Sequence, residues 1–284
     1  MQIYCYVLLL TSQILLCNLL DCSGTIPGPF VSSCYNPNYT TGSTFDANLQ
    51  HFLTDLPLKT LQNNYFYNAT YGKAPDQVYG LSMCYADASS TACRSCLLEA
   101  STGIEAAGCA FKKTAVVWYD ACMIRFSNEA FNASNSIGLE GCMAKVPDRE
   151  PESLPQPNKF NDTLRQLVDG LSTKASRSPM RLAAGKMNYT STKNIYVLVQ
   201  CVRLFRSDEC RMCIHDLTEF GVEACVQKNS VSGDETLTTV SCYVRFALRP
   251  FYVISEAHAP WRTDNIQNTG MYMHPSLSLL SKSQ

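Results

Sequence analysis

Apolar residues fall at helical spacing between Asp46 and Leu56, where Leu49, Phe52, Leu53 and Leu56 share one face. Pro57 follows directly and marks the expected end of that helix. The stretch Tyr65–Tyr71 is rich in aromatics, closes on Gly72 and has the composition of a strand. Val78–Cys84 reads as a second strand. Ser89 or Ser90 can cap a second helix that carries Cys93, Cys96, Leu97 and Ile104, with Gly108 as its stop. Thr114–Tyr119 and Cys122–Phe126 supply two more extended segments. The expected order is helix, two strands, helix, two strands.

Residues 143–159 carry Pro147, Pro151, Pro155 and Pro157 among charged side chains, the composition of a linker. Beyond them the same pattern returns. Phe160-Asn-Asp-Thr-Leu164 echoes Phe45-Asp-Ala-Asn-Leu49, and Ile195-Tyr-Val-Leu-Val-Gln-Cys201 echoes Val78-Tyr-Gly-Leu-Ser-Met-Cys84. Cys242-Tyr-Val-Arg-Phe246 echoes Cys122-Met-Ile-Arg-Phe126. Repetition of this kind argues for two copies of one domain, expected at 25–142 and 160–252, with an irregular tail at 253–284.

Cysteine spacing repeats with the rest. Cys84-x8-Cys93-x2-Cys96 recurs as Cys201-x8-Cys210-x2-Cys213, with Cys34, Cys109, Cys122, Cys142, Cys225 and Cys242 around the two cores. Cys93 and Cys96 lie three apart on a helix and share a face, but their Cβ vectors diverge, which argues against a bridge between them. The simplest solution joins Cys93 to Cys84, Cys96 to Cys122 and Cys34 to Cys109. In the chain-entropy model the first loop contributes roughly 3 kcal/mol and the last roughly 4.5 kcal/mol. Six cysteines admit about 15 pairings, so spacing alone leaves the connectivity open. Parity adds a constraint. The first unit holds seven cysteines and the second five, so full pairing requires a bridge across the boundary. With Cys201–Cys210 and Cys213–Cys242 formed by analogy, Cys142 and Cys225 are left to pair with each other.

Composition narrows the setting. Of the 284 residues, 46% are apolar and 17% charged, and the net charge is −1, which gives no electrostatic reason to expect nucleic acid as a partner. Tyr6–Leu20 is mostly apolar, too short for a membrane span and suited to a secretory signal within residues 1–24. Exported thiols meet an oxidising environment, which favours disulfides over zinc at the Cys-x-x-Cys pairs. The third cysteine upstream of each pair, and the lack of histidine at ligand spacing, point the same way. No metal and no cofactor are expected. Asn38, Asn68, Asn132, Asn161 and Asn188 each begin an Asn-x-Ser/Thr sequon and are candidate glycan acceptors.

Together, the doubled Cys-x8-Cys-x2-Cys core, the Val78-Tyr-Gly-Leu approach to Cys84 and the run Trp118-Tyr-Asp-Ala-Cys-Met-Ile-Arg-Phe-Ser127 resemble the plant cysteine-rich repeat secretory proteins. These carry tandem ginkbilobin-homologous domains, also found outside the membrane in cysteine-rich receptor-like kinases. The resemblance implies an α+β fold class: two tandem ginkbilobin-like domains, each with two helices packed on a five-stranded antiparallel sheet and stapled by three disulfides. It also implies extracellular work in defence or stress, and mannose binding in ginkbilobin itself. That sugar site uses Asn after the first cysteine, Arg six before the last and Glu five after it. The matching positions here hold Tyr35, Val116 and Ser127, then Met143, Thr236 and Ala247, and none carries the required residue.

No catalytic pattern accompanies the four histidines, His51, His215, His258 and His274. Asp46 with Asp55, and Asp208 with Glu209, read as acidic residues on helices, some of them at helix starts where they complement the dipole. Tyr65, Phe66, Tyr67, Tyr71 and Tyr79 would stack on sugars if exposed, although filling a core is the plainer expectation. The expectation is a secreted, non-enzymatic, disulfide-rich binding protein of the apoplast, with no transmembrane segment. Its partner would be an extracellular glycan or a receptor ectodomain.

Overall fold

The computed structural model describes residues 29, 31–131, 139–144, 152–225, 230–231 and 234–252. The chain opens with strand β1 (Val31–Asn38) and helix α1 (Thr44–Gln62). Ser43 caps α1, its side chain accepting a hydrogen bond from the Asp46 amide. Pro57 does not end this helix, as its sequence position had suggested. It removes only the N–H that would reach the Leu53 carbonyl. Leu53, Leu56 and Thr60 are buried on either side of it, and that packing carries the helix through to Gln62.

Strands β2 (Phe66–Tyr71) and β3 (Val78–Cys84) lead to helix α2 (Ser90–Thr102), capped by Ser89. Helix α2 stops at Gly103, ahead of the expected Gly108. Strands β4 (Lys112–Trp118) and β5 (Cys122–Ser127) complete a five-stranded antiparallel sheet in the order β1-β4-β5-β3-β2. The strand without a counterpart in the hydrophobic pattern is β1, whose Val-Ser-Ser-Cys-Tyr-Asn-Pro-Asn run lacks apolar alternation.

The second half repeats the plan. It contains β6 (Leu139–Ala144), the two-residue β7 (Glu152–Ser153) and helix α3 (Pro157–Arg177) with proline in its first turn. Then follow β8 (Leu182–Asn188), β9 (Asn194–Cys201), α4 (Ser207–Cys225), β10 (Ser230–Val231), β11 (Asp234–Thr239) and β12 (Cys242–Ala247). The second sheet runs β6-β11-β12-β9-β8, the same topology as the first, and β10 pairs with β7. Two boundaries therefore move. Cys142, placed by its position at the end of the first unit, sits on β6 in the second sheet, and Pro157–Lys159 belong to α3 rather than to a linker.

Alternation along the strands decides which side meets the helices. In the first sheet Val78, Cys84, Ala115, Val117, Cys122, Ile124 and Phe126 pack beneath α1 and α2 with Phe45, Leu49, Phe52 and Leu97. The helix lies close: a Cβ on Gly80 would stand 2.3 Å from the Phe52 ring. The intervening residues Leu81, Met83, Val116, Trp118 and Met123 face the other way and are buried with residues of the second half. Central strands covered on both faces lose the polar-out pattern of a solvated sheet.

Candidate recognition surface and the seam between the repeats

Two neighbouring bridges pin α2 to its sheet. Cys84 ends β3 directly opposite Cys122, the first residue of β5. Cys93 and Cys96, one turn apart on α2, reach back to Cys84 and Cys122 across Cα–Cα distances of 5.6 and 6.0 Å. The second half has the same arrangement, with Cys201 opposite Cys242 and the bridges Cys201–Cys210 and Cys213–Cys242. Cys34 on β1 is joined to Cys109 beyond α2. Each Cys-x-x-Cys pair is thus divided between two bridges, which leaves no paired thiolates for a metal. The Cys142–Cys225 pairing falls on side chains that lie outside the described residues; in the backbone, Cys142 is opposite Leu237 and Cys225 ends α4.

The outward faces of the two sheets meet in a closed seam. Tyr85 and Tyr243 stack with ring centroids 4.0 Å apart, and both hydroxyls are pushed above the ordinary phenol range by burial. Gln200 spans the seam with both ends of its carboxamide. Its oxygen accepts from the Ala86 amide at 3.0 Å and its nitrogen donates to the Cys84 carbonyl at 3.1 Å. Trp118 donates its ring N–H to the Thr239 carbonyl at 3.1 Å. Arg203 donates to the carbonyls of Asn63 and Asn64 just past α1 and lies over the Phe66 ring. Burial pulls the Arg203 pKa down to about 10.

A chain of alternating charges closes one end of the seam. Arg245 on β12 donates to Asp87 and pairs with Asp234 at 3.3 Å, while Arg249 donates to Asp234 at 3.0 Å. The Arg245 and Asp87 side chains are only 10% and 5% exposed, so this contact is largely shielded from salt. The Arg245 guanidinium also lies 4.4 Å from the Phe251 ring centre.

Of the six positions matched to the sugar site, Tyr35 is exposed, whereas Val116 is buried in the seam. Ser127 is buried with its hydroxyl shared between Thr114 and the Glu129 amide. Thr236 and Ala247 are buried, and the Met143 side chain lies outside the described residues. The aromatic strand divides by face. Phe66 is buried, while Tyr67 and Tyr71 are half-buried beside α1. Tyr71 donates to the Asp55 carboxylate at 2.5 Å, its hydroxyl lies 2.9 Å from that of Tyr67, and the His51 ring runs parallel to it at 6.5 Å. Burial, and then the bond to Asp55, raise the Tyr71 hydroxyl pKa.

The profile of the salt stress response/antifungal family matches residues 33–129 and again 141–249, one match on each repeat. The chain belongs to this family. It is 30% identical to an antimicrobial ginkbilobin-2-like protein of Castanea crenata, over 78% of this chain and 88% of that protein. Identity is 29% to cysteine-rich repeat secretory protein 38 of Arabidopsis thaliana, over 75% of this chain and 81% of the relative. Against cysteine-rich receptor-like protein kinase 25 of the same plant it is 32%, but the match covers only 33% of the kinase. In fold it is similar to the tandem DUF26 ectodomain of the Arabidopsis thaliana cysteine-rich receptor-like protein PDLP8, with a TM-score of 0.61 at 17% identity. That match covers 78% of this chain and 99% of the ectodomain.

As a tandem member of the family, the chain has the fold of a tandem DUF26 ectodomain. Among the described residues no helix is long and apolar enough to cross a membrane. Of the sequon asparagines, Asn38, Asn68 and Asn188 are exposed on strands. Asn161 is half-buried on α3 with its carbonyl oxygen enclosed, and Asn132 lies outside the described residues. His51 and His215 sit on helices, and His258 and His274 lie outside the described residues. The residues that sequence reasoning missed are those of the seam. Tyr85, Ala86 and Asp87 follow directly on Cys84, and only their difference from Val202, Arg203 and Leu204 in the other repeat marks them.

Proposed function

We propose that the chain is a secreted recognition protein of the plant cell exterior. It acts in defence or stress signalling by holding a protein partner, a receptor ectodomain, rather than mannose. One observation carries this reading. The disulfide scaffold of the family is intact, yet the first-unit sugar positions present Tyr35, Val116 and Ser127, with neither a guanidinium nor a carboxylate to grip a hydroxyl-rich ligand. Burial of Val116 and Ser127 supports it further, because a saccharide would have to displace the seam to reach them. Similarity to receptor-kinase and secreted relatives alike favours a partner met outside the cell.

A second reading has its own support. The half-exposed group of His51, Asp55, Tyr67 and Tyr71 combines aromatic faces with a carboxylate, a chemistry suited to stacking on and bonding a sugar ring. One experiment separates the two. The oxidised, secreted protein is applied in parallel to a glycan array and to a panel of extracellular receptor domains. Capture of a receptor domain without glycan signal is the expected result. Mannose binding would overturn the first reading, and glycan signal abolished by Tyr71→Ala would establish the second in its place.

A further inference from the structure

Every open sheet ends in two strands whose outer backbone groups can pair with another chain, and proteins block them with charge, proline or bulges. Strand β1 has Pro37 and a register shift between Tyr35 and Asn38. Strand β6 includes Glu140 and a shift opposite Leu237 and Thr239, and β8 has Lys186. Strand β2 has none of these. It is the outermost strand of the first sheet, pairs with β3 in unbroken register over Phe66–Tyr71, and reads Phe-Tyr-Asn-Ala-Thr-Tyr. A six-residue uncharged run with aromatic and β-branched residues and no proline has the composition of a self-pairing segment. Near its middle stands Asn68, exposed, with the exposed Thr70 completing a sequon.

We propose that Asn68 carries an N-linked glycan whose structural task is to keep β2 from pairing with the β2 of a second copy. In the attachment step the Asn68 carboxamide nitrogen bonds to the anomeric carbon of an oligosaccharide carried on a polyprenyl diphosphate. The anomeric C–O bond breaks, the lipid diphosphate leaves with the bonding pair, and the amide gives up one proton. The bulky, hydrated chain then occupies the space a second sheet would need. Bare β2 is open to an isologous contact, because two antiparallel copies of one edge strand complement each other about a two-fold axis. This rests on the extracellular reading above, since the modification belongs to the secretory route.

The test uses the full chain secreted from eukaryotic cells, with peptide mass spectrometry at Asn68 and sedimentation velocity. The native protein is expected to carry glycan at Asn68 and to sediment as a monomer. Asn68→Gln and Thr70→Ala both remove the sequon and are expected to shift the population to dimer at the same concentration. Thr70→Lys also removes the glycan but places a charge on the edge, and it is expected to stay monomeric. An unmodified Asn68 on a secreted, oxidised chain would overturn the proposal, as would a monomeric Thr70→Ala protein. Dimerisation of Thr70→Lys equal to that of Thr70→Ala would also overturn it, because the contact would then lie elsewhere. A chain that stays in the cytosol with reduced thiols would overturn the extracellular reading itself, and this proposal with it.

Discussion

Aligned on Cys84 with Cys201 and on Cys122 with Cys242, the two repeats agree beneath their helices and disagree where they meet. On the helix side Val117 matches Leu237, Ile124 matches Val244 and Phe126 matches Phe246. On the seam side Met83 faces the role of Gln200, Tyr85 that of Val202, Ala86 that of Arg203, Trp118 that of Thr238 and Met123 that of Tyr243. Even the shared arginine is used differently. Arg245 joins Asp87 and Asp234, while Arg125 lies over the Phe131 ring and burial lowers its pKa to about 10. A common frame has acquired an unlike pair of faces. Each face supplies what the other lacks: a carboxamide for free backbone groups, an indole donor for a carbonyl, a carboxylate for a guanidinium. Such a seam favours one partner, the other half of the same chain, over a second copy of itself.

If the seam is asymmetric, equivalent positions should carry unequal energies. Trp118→Ala removes a large, fully buried ring and the bond to the Thr239 carbonyl, and should cost about 3–5 kcal/mol. At the equivalent position, Thr238→Ala removes a buried hydroxyl and leaves that of Tyr85 without this partner, and should cost about 1–3 kcal/mol. Calorimetry of the oxidised protein should also show the Trp118→Ala variant melting in two steps, since the ring belongs to the contact between the halves. Equal losses at the two positions would mean that the seam is as symmetric as the frame.

Gln200 offers a finer cut. Gln200→Met gives β9 the residue that β3 has at Met83, close in volume, and leaves the Ala86 N–H and the Cys84 carbonyl without the carboxamide. Unmet buried backbone groups cost about 1–3 kcal/mol. The expected signature is local: hydrogen exchange at the Ala86 amide should accelerate while amides in α1 keep their protection. Unchanged exchange at Ala86 would show that the backbone there has another partner.

How far the sequence could announce this molecule follows from what each element depends on. The cysteine-bearing strands and helices were legible because hydrophobic period and thiol spacing are local, and the two copies reinforced each other. Strand β1 was not, because its Ser-Ser and Asn-Pro content is set by an edge position and by Ser32, whose hydroxyl donates to the Ala107 carbonyl. Helix α1 runs past Pro57 because of burial contributed by the sheet, which no local rule contains. The seam was hidden most deeply. Leu81, Met83 and Trp118 look like ordinary core residues of their own unit, and only the second sheet explains why both faces of the first are apolar. The aromatic strand shows the same dependence: core filling was legible from its composition, but that Phe66 turns to the seam and Tyr71 to α1 was not.

The smallest expected effect is a difference in alkaline response between the halves. Tyr119 directly follows β4 and is 2% exposed, and burial followed by the nearby Glu99 charge raises its pKa from 10.0 to about 12. At the equivalent place the second repeat has Thr239, which does not titrate in this range. The folded chain holds the Tyr119 proton longer than the unfolded chain does. The associated stability is therefore complete below pH 10 and is lost as the pH climbs towards 12. One pKa unit corresponds to about 1.4 kcal/mol, so by pH 11 the loss from this group approaches that amount. The Tyr119 hydroxyl is buried without a hydrogen-bond partner, so Tyr119→Phe should leave stability at pH 7 nearly unchanged. Its denaturation midpoint should fall less steeply than that of the native protein between pH 10 and 11. A variant that loses stability with pH as steeply as the parent would move the alkaline sensitivity away from Tyr119 to the other tyrosines that burial holds protonated, Tyr71, Tyr85 and Tyr243 among them.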